Sequence, residues 1–283
     1  MLTYCVVWLL SALTAASIYV TLVRSLPNRF IARNFQSNRI PCSAGLIFVG
    51  MCALGYGVLL VIGSRAIGSR CLPLVVAVST FGALGLIDDL FGDRSVGGLK
   101  GHFSELLLNH KLTTGAAKAI GGTFSALVAG FLLNPHTPAK ALVAAGIIAL
   151  TANALNLTDT RPGRTILLSL LLIVLSAAIG FSRVTSIDVA LFGAPVLLLC
   201  VMFLFDRSAK LMMGDVGANS IGALIGAIWV MIVPEQAQLV YFGLLIWFHI
   251  WTETHSLSQT IEKTPWLRSI DRLVGVRVGT RID

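Results

Sequence analysis

Nine runs of apolar residues, separated by short polar stretches, leave this chain few ways to fold. They run approximately from Leu2 to Val23, Ser43 to Gly63, Cys71 to Ile87, Gly115 to Leu133, Ala139 to Ala154, Thr165 to Phe181, Ile187 to Phe205, Val216 to Val233 and Leu239 to Trp251. A helix needs roughly 20 apolar residues to cross the hydrocarbon core, and several runs are shorter, so about nine spans are expected. With 56% hydrophobic residues, 12% charged residues and a mean hydropathy of +0.86, an ordinary soluble domain is excluded. The expectation is an all-α polytopic membrane bundle, a single integral membrane domain over residues 1–283. No Lys or Arg precedes the first apolar run, so it reads as a retained helix and not as a signal peptide.

The net charge of +8 would suggest nucleic acid as a partner in a soluble protein. Here its distribution points to topology. With the amino terminus outside, all but Arg65, Arg70, Lys140 and Arg183 of the 21 lysines and arginines fall on the inner side, a strong positive-inside bias. It puts loops near 24–42, 88–114, 155–164 and 206–215, and a tail over 252–283, in the cytoplasm. An integral protein of the cytoplasmic membrane is expected, with no nucleic-acid partner. The loop 24–42 is either an orientation signal against anionic headgroups or part of an anionic substrate site. The five cysteines are scattered without a CxxC pair, so neither a disulfide framework nor a zinc site is implied.

The polar residues that resist a bland reading cluster at the inner ends of the apolar runs. The third run ends in Asp88 and Asp89, and a carboxylate pair beside lipid is costly and unnecessary for folding. Lys111 and Lys118 follow, either marking the inner face or holding phosphate. Between the aspartates and these lysines, Ser104 to His110 is expected to lie on the membrane surface as a short amphipathic helix. The fifth run ends in NALNLTD, with Asn153, Asn156 and Asp159 spaced by three and therefore on one helical face. Arg161 and Arg164 flank Pro162 and Gly163 just beyond. Asp215 lies between Gly214 and Gly217 where the eighth run begins, either as a helix cap or as a ligand of metal or phosphate. His255 is the better of two histidines as a ligand near the tail. Beyond it, two short amphipathic helices are expected, the second capped by Thr264 with Pro265 as its first residue.

Transporters usually place ionisable groups near the membrane midplane, whereas these apolar runs are largely clean. Acids for a divalent metal, cations for phosphates and a lipid setting point to phosphoryl transfer between a soluble donor and a membrane acceptor. Oxygen donors favour Mg2+, with Mn2+ as the alternative, over zinc.

Asp88-Asp89, NALNLTD and MMGDVGANSIG, in this order, resemble the signature loops of the polyprenyl-phosphate N-acetylhexosamine-1-phosphate transferases, relatives of phospho-N-acetylmuramoyl-pentapeptide transferase. The resemblance extends from Pro41 to Gly45 through the eighth run. It implies transfer of a sugar-1-phosphate from a UDP-sugar to undecaprenyl phosphate, with release of UMP, in cell-envelope glycan synthesis. It further implies that Asp215 ligates Mg2+ and that Asp88 and Asp89 engage the lipid phosphate, one of them as its base. Asn156 and Asp159 would help to hold metal and nucleotide, and Lys118 would bind diphosphate. Two departures stand out. Asp159 is followed by TRPGRT, where the family continues with further acids and glycines, and His255 stands alone where a histidine cluster is expected. They leave a second reading beside the active transferase: a catalytically weakened member serving as a membrane scaffold or lipid-phosphate binder. A homodimer is compatible with the sequence, which does not indicate one.

Overall fold

The computed structural model describes residues 2–92 and 114–277. Lys111 and the surface helix expected at Ser104 to His110 lie outside them. The described chain is an all-α membrane bundle. Its long helices are α1 (Leu2–Ser25), α3 (Gly45–Ile62), α4 (Arg65–Phe91), α5 (Thr114–Leu133), α6 (Pro138–Thr158), α7 (Arg164–Ile179), α8 (Ser186–Asp206), α9 (Gly214–Ile232) and α10 (Glu235–Thr252). A short α2 (Pro27–Phe30) follows α1, and α11 (Leu257–Lys263) and α12 (Pro265–Val274) follow α10.

Among the described residues, seven helices are long and apolar enough to cross a membrane: α1, α3, α4, α5, α6, α8 and α9. The other two expected spans form helices but fall short of that measure. At 16 residues, α7 is only about 24 Å long at 1.5 Å per residue, and α10 opens on the polar stretch Glu235-Gln236-Ala237-Gln238. Both present large apolar side chains outward, among them Leu171, Val174, Val240 and Trp247, as a helix facing lipid does.

The centre of the bundle is α9, buried without interruption from Val216 to Trp229. Without a hydrophobic driving force between helices in lipid, close association relies on small residues that let backbones approach, and α9 is built that way. A Cβ on Gly45 of α3 would overlap the backbone of Gly217, and one on Gly85 of α4 would overlap that of Asp215 and Val216. A Cβ on Gly222 would stand 2.5 Å from the Cα of Ala152 in α6. Small residues therefore draw α3, α4 and α6 onto one helix and bring their ends to a common level.

The expected loop over 24–42 contains structure that hydropathy does not reveal. Ile31–Arg33 and Arg39–Pro41 pair as an antiparallel hairpin with Ala32 opposite Ile40. Tyr19 anchors it, donating its hydroxyl to the Cys42 carbonyl at 2.7 Å and packing edge-on against Phe30. The segment leaving the hairpin then hydrogen-bonds to the residues that lead into α9. The Met212 amide donates to Pro41 O at 2.8 Å, the Ala44 amide to Met212 O at 3.0 Å and the Gly45 amide to Met213 O at 2.9 Å. The two tail helices form as expected. Pro265 opens the second, but Thr264 makes no side-chain cap, whereas Ser256 caps the first by accepting from the Gln259 amide.

Candidate functional site

The acids lie at helix ends, and their partners come from other helices. The apolar run ending at Ile87 is followed by four more helical residues, so Asp88 and Asp89 occupy the last turn of α4. Carboxylates at a helix carboxyl end oppose the macrodipole; only tertiary partners make the position favourable. Asp89 finds them at the start of α9. Its carboxylate accepts from Ser43 Oγ at 2.9 Å, from the Asp215 amide at 2.9 Å and from the Val216 amide at 3.3 Å. The first amides of a helix have no partner within it, so Asp89 caps α9 from across the bundle. Gly214 makes the approach feasible. Its φ is +74°, and a Cβ there would overlap Asp89 Oδ2.

With the cap supplied from outside, the Asp215 side chain is not needed for it. It reaches Lys118 of α5 instead, with Nζ to Oδ2 at 2.5 Å, and the same ammonium lies 3.0 Å from Asp88 Oδ2. One lysine thus sits between two carboxylates from α4 and α9, all three side chains partly screened from solvent. The backbone carbonyl of Asp215 is tied by Asn219 Nδ2 at 2.6 Å.

A second group approaches from α6. Asn153 and Asn156 lie on its last turns, and Asp159 is the residue that ends it, its amide donating to Asn156 O at 3.1 Å. Asn156 Oδ1 is buried and has no hydrogen-bond partner among the described residues, an acceptor of the kind that marks a place for a ligand, ion or water. Burial holds the Asp159 carboxyl well above the ordinary carboxylate range, and the neighbouring charge of Asp206 adds to this, followed by those of Asp215 and Asp89. Asp159 therefore lies within reach of the charges of Asp206, Asp215 and Asp89.

The remaining expected residues have other company. Arg164 turns its guanidinium to Asp271 of α12, Nε to Oδ1 at 2.5 Å and Nη2 to Oδ2 at 3.0 Å, and Nη1 donates to Thr160 Oγ1 and Ser258 Oγ. Arg277 completes the cluster with 2.6 and 2.8 Å bonds to Asp271 and a 2.9 Å bond to the Pro162 carbonyl. In Asp271, burial works to raise the pKa, but hydrogen bonds from Arg277 and Arg164 outweigh it and hold the carboxyl well below its usual range. Arg161 lies over the Phe35 ring, 5.9 Å from its centre. His255 stacks on Trp251 with ring centres 5.2 Å apart, and its Nδ1 lies 2.8 Å from Thr254 Oγ1.

Four residues that the sequence reading did not single out complete the arrangement. Ser43 steadies Asp89, Asp206 accepts from the Gly163 amide at 2.7 Å, and Asp271 and Arg277 fasten the loop after Asp159. Of these, Asp206 carried a usable signal, since it too ends an apolar run. A serine in PCSAG carries none, because its role depends on a partner 46 residues away.

Among the described residues, no three His, Cys, Asp or Glu side chains form a ready metal cage. Mg2+ does not require one, since it is usually bound by one or two carboxylates together with substrate phosphates and water. Asp88 and Asp215, already presenting oxygens to one shared cation, fit that mode.

An apolar cavity of about 690 Å³ lies between α6, α7, α10 and the tail helices. Leu168, Leu172, Tyr241 and Phe248 form part of its wall, and Thr158 and Arg164 bring it to the loop that carries Asp159.

The family model described as glycosyl transferase family 4 matches residues 71–233. That is more than half of the chain, from within α4 to the end of α9, and it includes Asp88, Asp89, Lys118, Asn153, Asn156, Asp159 and Asp215. No individual curated protein matches the chain.

Proposed function

This chain belongs to glycosyl transferase family 4, and from that premise we propose that it moves a sugar-1-phosphate from a UDP-sugar to undecaprenyl or another polyprenyl phosphate. UMP leaves, and the lipid diphosphate-linked sugar serves cell-envelope glycan synthesis. The observation that carries this reading is the convergence of Asp88, Lys118 and Asp215 from three helices at one end of the bundle. By the positive-inside distribution of Lys and Arg, that end faces the cytoplasm, where a water-soluble nucleotide sugar and a lipid phosphate can meet.

In this reading the lipid phosphate oxygen attacks the β-phosphorus, a new P–O bond forms, and the bond to the oxygen leaving with UMP breaks. Catalysis of such a step is mainly positioning and charge stabilisation. Asp88 and Asp215 would hold Mg2+, which when bound neutralises charge on the diphosphate. Lys118 holds phosphate oxygens. Asp89, with its acceptors engaged by Ser43 and two amides, acts by fixing the start of α9 and so Asp215. Asn156 offers its unpartnered oxygen, and Asp159 lies beside it at the end of α6. The apolar cavity suits the prenyl chain of the acceptor, and its Thr158 end suits a phosphate brought close to Asp159.

One observation favours the second reading, a weakened member that binds lipid phosphate as a scaffold. Arg164 and Pro162, in the loop where the family carries further acids, are tied to Asp271 and Arg277. Incubating purified protein with Mg2+, undecaprenyl phosphate and a panel of UDP-sugars separates the two. UMP release with at least one donor is the expected result; release with none, while the lipid stays bound, favours the scaffold.

A further inference from the structure

We propose that the Lys118 ammonium is a resident counter-cation, which a divalent metal must displace and which then moves to the phosphates of the arriving substrate. The inference rests on the reading that Asp88 and Asp215 hold the metal, and it adds an order of events to that reading. Three observations carry it. Nζ lies 2.5 Å from Asp215 Oδ2 and 3.0 Å from Asp88 Oδ2, so it occupies the space in which a small cation would bind both oxygens. The Lys118 side chain is also largely screened from solvent, at 17% exposure, so the two carboxylates and not water hold its charge. Finally, a divalent ion between the same two oxygens would stand against the ammonium at close range, where like charges repel strongly, so the two cations cannot share the gap.

A lysine suits this exchange. Its charge is compact and sits on a flexible four-carbon stem with three donors, so it can leave two carboxylates for phosphate oxygens without movement of the backbone. Metal and diphosphate then favour each other's binding. Metal releases the lysine that grips diphosphate, and diphosphate offers the displaced ammonium a new partner, a coupling that is reciprocal by linkage.

The test is Mn2+ binding to the purified full chain, followed by electron paramagnetic resonance. Lys118→Met should bind Mn2+ about tenfold more tightly than the unaltered protein, the scale of removing a unit charge at close range from a partly screened site. Asp215→Asn should lose that binding. Equal affinity of Lys118→Met and the unaltered protein, with binding still lost in Asp215→Asn, overturns the displacement and leaves the metal assignment standing. Unchanged binding in Asp215→Asn overturns both. Should Lys118→Met fail to fold, acylation of Lys118 in the unaltered protein decides, read by peptide mass spectrometry. Mn2+ alone should increase its labelling, and Mn2+ with inorganic pyrophosphate should suppress it again. Labelling unaffected by saturating Mn2+ overturns the proposal.

Discussion

Two ion-pair sites lie at opposite ends of α4 and are built on different plans. Near its start, Arg70 pairs with Asp188, whose other acceptor positions are filled by the amide and hydroxyl of Thr185 in a capping box that opens α8. About 27 Å along the same helix, at 1.5 Å per residue, Asp88 shares Lys118 with Asp215, and Asp89 adds a further carboxylate beside them. The first site is closed, with one cation matched to one anion whose remaining bonds are made locally. The second is open, with more anions than cations and with side chains gathered from α4, α5 and α9. A closed pair needs only a structural explanation. An open cluster of acids persists against its own repulsion, and such sites are where ligands bind.

The comparison can be broken most sharply at Asp215. If the open site carries out the transfer, Asp215→Asn reduces UMP release by about a thousandfold, equivalent to about 4 kcal/mol of transition-state stabilisation, with little change in melting temperature. A drop in stability with activity intact would make the open site structural after all. The next largest effect belongs to a closed cluster at the same end of the molecule, which tests whether closure or location decides the role. Asp271 and its two arginines are nearly buried, so Asp271→Asn takes the shared carboxylate from both guanidinium groups and costs about 3 kcal/mol of stability.

The pH dependence of that loss has a definite sign. The folded-state pKa of Asp271 is depressed below the ordinary value of 3.8, so its contribution is present above about pH 4 and is lost as pH falls through the lower folded value. Thermal unfolding of Asp271→Asn and of the unaltered protein should therefore differ most near neutrality and converge in acid. Convergence in alkali instead would contradict the assignment.

Asp188→Asn should cost less, about 2 kcal/mol, because Arg70 is one-third exposed and can regain water, and it should leave the KM for both substrates unchanged. The smallest effect is expected at Ser43→Ala. Removing one donor to Asp89 is worth about 1 kcal/mol and should lower UMP release about fivefold, through kcat more than through stability, because two amides still hold the cap.

The chain's own order of residues was enough to establish a helical membrane protein, the places of nearly all its long helices, and the acids at their ends. Hydropathy over a window of some 20 residues is a local property, and the need to match lipid makes it decisive. Local reading also picked out Asn153 and Asn156, which lie on the last turns of α6, and Asp159, which ends it, because helical spacing is local. What only the tertiary structure decided is which of these groups meet. Lys118 and Asp215 stand 97 residues apart, and no periodicity predicts that one ammonium will lie between Asp215 and Asp88. Nor does it predict that Asp89 caps a helix beginning more than a hundred residues later, or that Arg164 turns to the tail. Those outcomes follow from the depth to which glycines let α3, α4 and α6 sink onto α9, and from long charged side chains choosing partners in three dimensions. Composition brings the acids to the membrane surface; packing determines which of them share a cation.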